Sequence, residues 1–397
     1  MVVMIEIFIY INYTIHHIQK WFFSQINDTL KLMKIVFDGL IYSLQNQGGI
    51  SRYFDELING LAERPDHEVI VLMRKNNSNK IFNDKVKIEI IDSTIYTNNK
   101  FFKYLSVFID GIKTQKFLHN RKNLQNGILH HTYYRHFSNI GSKQVITVYD
   151  MTDEIFPKFF KGLFYYLYAY NKKRAILKAD SIITISESIK KDIINIYGIA
   201  PEKIDVIYLG VSKIFKKVAE NKPTKPFFLY VGYRYYYKNF PLLLKAFSSW
   251  SKKDDYSLLC LGGGEFKKDE TRLIENLNLN NIVKQIPNIT DTDLVSYYND
   301  TTALIYPSLY EGFGLPIIEA MACDTPVICS DIPVFHEVGG ASPLFFTNSQ
   351  TDLMRCLDEV TNNTYSSPTN SRGWTETFTW EKTTLNTLEI YKKYYQS

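Results

Sequence analysis

The chain has 397 residues, 45% of them hydrophobic, with a formal charge of +5 and an isoelectric point near 8.7. Length and apolar content exclude an unstructured polypeptide and set two or three domains with sizeable cores as the expectation. The basic excess lacks the long runs of a nucleic-acid tail, so nucleic acid is excluded and an acidic or phosphorylated ligand is the better match.

Residues 1–32 stand apart from the rest of the chain. Their apolar stretch, Val2 to Ile15, is broken by Glu6, Asn12 and Thr14 and is too short for a bilayer, which needs about 20 apolar residues. It also lacks the basic start and small-residue cleavage site of a signal peptide. The expectation is an upstream start codon or a loosely attached extension, with a membrane-surface anchor as the rival.

From Met33 onward, short β-branched runs alternate with helical patterns, which predicts parallel sheets covered by helices. Candidate strands are Lys34–Phe37, Glu68–Met73, Val86–Ile90, Gly127–His130, Gln144–Val148 and Ser181–Ile185. Between the first two, Gly48-Gly49-Ile50-Ser51-Arg52 opens a helix whose apolar face is Ile50, Phe54, Leu57, Ile58 and Leu61. A glycine pair at a helix N-terminus offers backbone donors and a positive dipole to an anion, although glycine also marks ordinary turns. From Phe156 to Lys178, eight aromatics mix with six Lys or Arg and no acid. This composition fits a lipid-headgroup surface or a lipid-linked acceptor, or else a plain helix with a basic outer face.

Residues 33–216 form the expected first domain, and the Lys- and Pro-rich stretch 217–226 reads as a linker. Strands at Phe227–Val231, Ser257–Leu261, Ile282–Gln285, Ala303–Tyr306 and Pro326–Cys329 build a second domain over 227–375. After the first of these comes Arg234-Tyr235-Tyr236-Tyr237-Lys238-Asn239. An Arg fork and a mobile Lys past a strand end suit a diphosphate, against the alternative of a solvated basic loop. After the second comes Gly262-Gly263-Gly264, either a site for nucleobase and ribose or a plain turn. The cysteines at 260, 323, 329 and 356 show no Cys-x-x-Cys spacing and no nearby His pair. That excludes zinc and predicts reduced, half-buried thiols in a cytoplasmic protein.

The most informative run is Tyr310-Glu311-Gly312-Phe313-Gly314-Leu315-Pro316-Ile317-Ile318-Glu319-Ala320-Met321-Ala322-Cys323-Asp324-Thr325. It reads as strand, tight loop, short helix, strand, with Pro316 at the first helical position and Glu319 in the first turn. Two carboxylates eight residues apart then face one crevice, where ionised carboxylates accept from vicinal hydroxyls of a sugar or a ribose. The glycines let the backbone come close to a ligand. Solvated charges near a helix N-terminus are the alternative.

This run resembles the Glu-x7-Glu signature of the family 4 retaining glycosyltransferases, departing from its usual form only at Asp324, where the family has Gly. That position is expected to be left-handed, which Asp tolerates. The resemblance covers Met33 to the last helix. It implies the α/β GT-B fold, two Rossmann-like domains facing an interdomain cleft, with residues 376–397 (Trp380 to Tyr394 at helical spacing) crossing back to the first domain.

Further, the resemblance implies that Glu311 holds the donor-sugar hydroxyls, with Gly312, Phe313, Gly314 and Leu315 lining the donor. Glu319 would hold the ribose, Gly48 and Gly49 the diphosphate, and Gly263 the nucleobase side. Arg234 and Lys238 would neutralise the departing diphosphate, so that neither metal nor cofactor is needed. Where many members carry a His-Asp pair this chain has Tyr149-Asp150, and where a related pattern has a His it has Asp153. These, with His130 and the neighbouring His131 and His136, are the catalytic and acceptor-side candidates.

The implied reaction is retaining transfer of a hexose from GDP-mannose or a UDP-hexose to a glycan or lipid-linked glycan in bacterial surface-polysaccharide synthesis. The expected protein is cytoplasmic, with a peripheral contact at the inner membrane face. A sugar-nucleotide epimerase of the same architecture and a non-catalytic nucleotide-sugar binder are the alternatives.

Overall fold

The structure is a computed structural model that describes residues 32–45, 48–75, 80–95, 99–218, 224–365 and 371–396. The expected N-terminal extension, Leu32 excepted, and the middle of the 217–226 linker lie outside the described residues.

The first lobe is one parallel sheet of seven strands: β1 (Met33–Phe37), β2 (His67–Arg74), β3 (Lys87–Ile91), β4 (Ile128–His131), β5 (Lys143–Val148), β6 (Ser181–Thr184) and β7 (Ile204–Val206). Their order is β3-β2-β1-β4-β5-β6-β7. The second lobe is a parallel sheet of six: β8 (Phe227–Val231), β9 (Ser257–Leu261), β10 (Val283–Ile286), β11 (Ala303–Tyr306), β12 (Val327–Ser330) and β13 (Leu344–Phe346), in the order β10-β9-β8-β11-β12-β13. Central strands such as β1 and β11 are buried almost throughout, because helices cover both faces of each sheet and every side chain enters a core.

Each sheet reverses its winding once, between β1 and β4 in the first and between β8 and β11 in the second. The carboxyl ends of strands at such a switch leave a crevice with no crossing helix, and this is where open α/β sheets take ligands. The helices that matter there are α1 (Gly49–Ala62), α2 (Lys100–Asn120), α3 (Leu163–Lys178), α4 (Glu187–Tyr197), α5 (Asp291–Asp300), α6 (Leu315–Ala322) and α7 (Trp380–Tyr395).

The lobes share one continuous core. Phe313, from the loop before α6, lies 6.3 Å from the Tyr208 ring and 5.9 Å from Phe378. Helix α7, which comes after the second lobe in sequence, packs on the first: Thr384 abuts Gly60 of α1, and the Tyr391 hydroxyl bonds His130 of β4. Strand ends differ from the sequence expectation by about one residue. The edge strands β7 and β13 were not expected, because three residues are too few to show a period of two. All four cysteines are free and fully buried rather than half-buried. Among the described residues no helix is long and apolar enough to cross a membrane.

Candidate active site between the lobes

The loop between β11 and α6 carries Glu311. One carboxylate oxygen accepts from Ser308 Oγ at 2.8 Å and pairs with the Lys238 ammonium, which comes from the loop after β8. Lys238 also reaches the Tyr306 hydroxyl at 3.4 Å. The two loops are tied by the Leu309 N–H donating to the Tyr237 carbonyl at 2.7 Å. Lys238 and Glu311 are thus a mutually neutralised pair at the switch of the second sheet, with side chains only 15% and 12% exposed.

Gly314, at φ +106°, turns the chain into α6. The helix begins at Leu315, so Pro316 is its second residue and Glu319 lies in the second turn rather than the first. Pro tolerates either position, since neither N–H has an intrahelical partner. Asp324 comes next at φ +57°, the left-handed conformation expected of it.

Glu319 is buried and crosses the cleft. Its Oε1 accepts from Arg52 Nη1 of α1 at 3.1 Å and its Oε2 from the Tyr298 hydroxyl of α5 at 3.2 Å. Arg52 Nη2 also meets Asp291 Oδ2 at 2.6 Å. Burial pushes the Glu319 carboxyl up to about 7, with Arg52 opposing the rise and Asp291 adding to it. The glycine pair that starts α1 lies against α6, with Gly49 facing Leu315. Two helix N-termini therefore meet where the lobes touch.

Arg234 stands past the end of β8, as expected, but is already held by partners within its own lobe. It is buried, forms an ion pair with Glu270 at 3.1 Å, and donates to the carbonyls of Gly262 at 3.2 Å, Gly264 at 2.7 Å and Glu265 at 3.0 Å. Gly262, Gly263 and Gly264 are all left-handed, at φ +72°, +73° and +71°, and together they curl their carbonyls around the guanidinium. A fork of five donors suits that ring, and Phe266 stacks 4.8 Å away. The four charges assigned to the donor, Arg234, Lys238, Glu311 and Glu319, are instead spread over three ion pairs, Lys238–Glu311, Arg52–Glu319 and Arg234–Glu270. Gly263 has a structural duty here, since a side chain on it would press on the Gly232 carbonyl and the Arg234 guanidinium.

Two first-lobe candidates are corrected. His130 is fully buried in β4, bonded to Tyr391 and, at 2.8 Å, to Thr147 Oγ1. Burial pulls its imidazole down to about 3, so it is a neutral core residue and not an acceptor-side group. The Tyr149 ring packs inward on Tyr53 and Phe54, and what it turns to the second lobe is its carbonyl oxygen, against Gly312. Of the other histidines, His131 bonds Gln144 at 2.9 Å and is buried, and burial pulls His136 down to about 4.

Asp150 and Asp153 do face the cleft. They line a cavity of about 600 Å³ together with Arg234, Tyr235, Tyr236, Tyr237, Phe159 and Phe160. Burial raises Asp153 to about 6, while Lys172, buried and 3.5 Å away, opposes the rise. Phe159 of the first lobe stacks on Tyr236 of the second, ring centroids 3.9 Å apart, and bridges the cavity. Glu311 and Glu319 are not among its lining residues.

Sequence reasoning missed the residues that join the lobes. Tyr310 donates to Asp192 at 2.7 Å and accepts from the Met151 N–H at 3.1 Å. Glu337 accepts from the Glu187 N–H at 2.6 Å at the start of α4. Arg52 stood beside the glycine pair, but its partners lie more than 230 positions along the chain. No local pattern could have found them.

Two family descriptions match the chain: Glycosyltransferase Family 4 over residues 47–213 and Glycosyl transferases group 1 over residues 211–370. Among curated relatives, the O-antigen chain mannosyltransferase RfbU of Salmonella typhimurium is 37% identical over 199 residues, 49% of this chain and 54% of that protein. The chain therefore spans about half the length of that relative. Among solved structures, a sucrose-phosphate synthase from Thermosynechococcus elongatus matches at TM-score 0.73 and 19% identity, covering 91% of this chain and 98% of that one. Anabaena HepE in complex with UDP-glucose matches at TM-score 0.68 and 15% identity, covering 91% and 100%. These likenesses are of fold. With two parallel α/β lobes joined as in those structures, and the two family matches running from residue 47 to residue 370, the chain belongs to the family 4 and group 1 glycosyltransferases of GT-B fold.

Proposed function

We propose that the protein transfers a hexose, with mannose favoured by the relative's activity, from a nucleotide sugar to a glycan or lipid-linked glycan in surface-polysaccharide synthesis. The observation that carries this is the Lys238–Glu311 pair at the switch of the second sheet. The donor is GDP-mannose or a UDP-hexose. Glu311 accepts from its sugar hydroxyls, and Lys238 lies where charge grows on the departing diphosphate. Glu319 accepts from the ribose, and the starts of α1 and α6 offer backbone donors to the phosphates.

Transfer is retaining and needs no metal. The acceptor oxygen bonds the anomeric carbon on the face from which the anomeric C–O bond to the diphosphate breaks, and a leaving phosphate oxygen takes the acceptor's proton. Positioning and electrostatic stabilisation supply the rate. Incubating the purified chain with GDP-mannose and a panel of UDP-hexoses, and tracking nucleotide release and product anomeric configuration by NMR, tests this. Inverted product, or epimerised donor without release, would refute it.

On this reading the protein works in the cytoplasm, in peripheral contact with the membrane through α2 and α3. Phe108 and Ile112 on α2 and Leu163, Tyr166 and Tyr170 on α3 are exposed, and Tyr104 stacks on Phe164 at 4.8 Å to join the two helices. Basic residues without an acid across 156–178 complement anionic headgroups. Vesicle flotation with and without anionic lipid checks this, and no difference between the two would count against it.

A further inference from the structure

Arg52 belongs to the first lobe, yet its guanidinium lies between two carboxylates of the second, one nitrogen on Glu319 and the other on Asp291. The Phe215 ring supports it from 5.5 Å. The other groups facing Glu319 are Asp291 and the Tyr298 hydroxyl of α5 and the Cys323 thiol just past α6, and Glu56 of α1 adds negative charge near Arg52 and Asp291. Among the described residues, the cation that bonds Glu319 is thus carried by the opposite lobe.

That arrangement has a chemical consequence. A buried carboxyl without a cation holds its proton at neutral pH, and a protonated carboxyl presents fewer acceptor sites to a vicinal diol. In the structure each Glu319 oxygen accepts one bond from the protein, Oε1 from Arg52 and Oε2 from Tyr298, which leaves a second lone pair on each. Arg52 acts on Glu319 only while the lobes are together.

We infer that Arg52 is a positioning residue that keeps Glu319 an anionic acceptor for the nucleotide's ribose, and so couples lobe closure to nucleotide binding. This rests on the proposed assignment of Glu319 to the ribose. The balance is delicate because Glu319 sits near 7 even with Arg52 in place, and loss of the guanidinium carries it higher.

The test is calorimetric titration of the full chain with GDP and with UDP between pH 6 and pH 9. Arg52→Gln is expected to weaken binding about tenfold at pH 7, the size of one lost charge-assisted interaction, with the deficit closing toward pH 9 as Glu319 ionises unaided. Arg52→Lys should keep most of the affinity, and Arg52→Gln should add nothing once Glu319→Gln is present. A deficit equal at every pH, one that persists in the Glu319→Gln background, or no deficit would overturn the inference. A wild-type chain that bound neither nucleotide would overturn the proposed function and this inference together. Wild-type binding with an unaffected Arg52→Gln variant would overturn the inference alone.

Discussion

Gly312 and Tyr149 meet backbone to backbone across the lobes: a methyl group on the glycine would overlap the tyrosine carbonyl oxygen. The Gly312 carbonyl in turn accepts from Ser186 Oγ at 2.8 Å. The loop that presents Glu311 is therefore seated directly on the ends of β5 and β6. Gly312→Ala is expected to hold the lobes apart and lower turnover about a hundredfold, the scale of an ångström-sized misplacement. Small-angle scattering should show a larger radius of gyration, and an unchanged radius with unchanged turnover would contradict the seating.

Lys238 and Glu319 are expected to fail in different ways. Lys238→Ala removes charge stabilisation felt mostly in the transition state, and should lower kcat about 10²- to 10³-fold with little change in donor KM. Glu319→Ala removes a ground-state contact and should raise donor KM while sparing kcat. Steady-state kinetics on the nucleotide sugar that the chain turns over distinguishes them.

Arg234 should prove a stability residue. Removing it leaves Glu270 buried beside a ring of carbonyls without their donor, and breaking a buried pair costs about 3–5 kcal/mol. Arg234→Ala should therefore lower the denaturant midpoint strongly. Arg234→Lys should recover little, since a point charge cannot bridge Glu270 and three carbonyls at once.

Two raised carboxyls make one contribution to the pH dependence of folding. Glu319 rises from 4.5 to about 7 and Asp153 from 3.8 to about 6, so the folded state holds protons more tightly than the unfolded. Their contribution is complete below the unfolded values and is lost as pH climbs through 6 and 7. Glu319→Gln should flatten the decline between pH 4.5 and 7, as read by chemical denaturation at fixed ionic strength.

His130 should matter to folding and not to transfer. Tyr391→Phe removes its hydroxyl partner and should cost about 1 kcal/mol, with kcat and KM unmoved. A fall in kcat without a fall in stability would restore His130 as a catalytic candidate.

Much of this architecture was legible in residue order. Hydrophobic runs buried on both faces announce parallel strands, and most expected strands lie within a residue of those present. The run from Glu311 to Thr325 carried the family resemblance, and even its one departure was readable: Asp324 is left-handed because a short helix must end there. Short edge strands such as β13 were not legible, because three residues leave no period to detect.

Residue order alone put an Arg, a Lys and two Glu in the loops and short helix that follow two strands. What each of them touches was decided only by the tertiary structure. The three left-handed glycines captured Arg234, Arg52 arrived at Glu319 from the other lobe, and helix α7 folded back to enclose His130. The reason is physical: secondary structure is set by neighbours a few residues apart, whereas the partner of a charge depends on which distant segments packing brings within a hydrogen bond's reach.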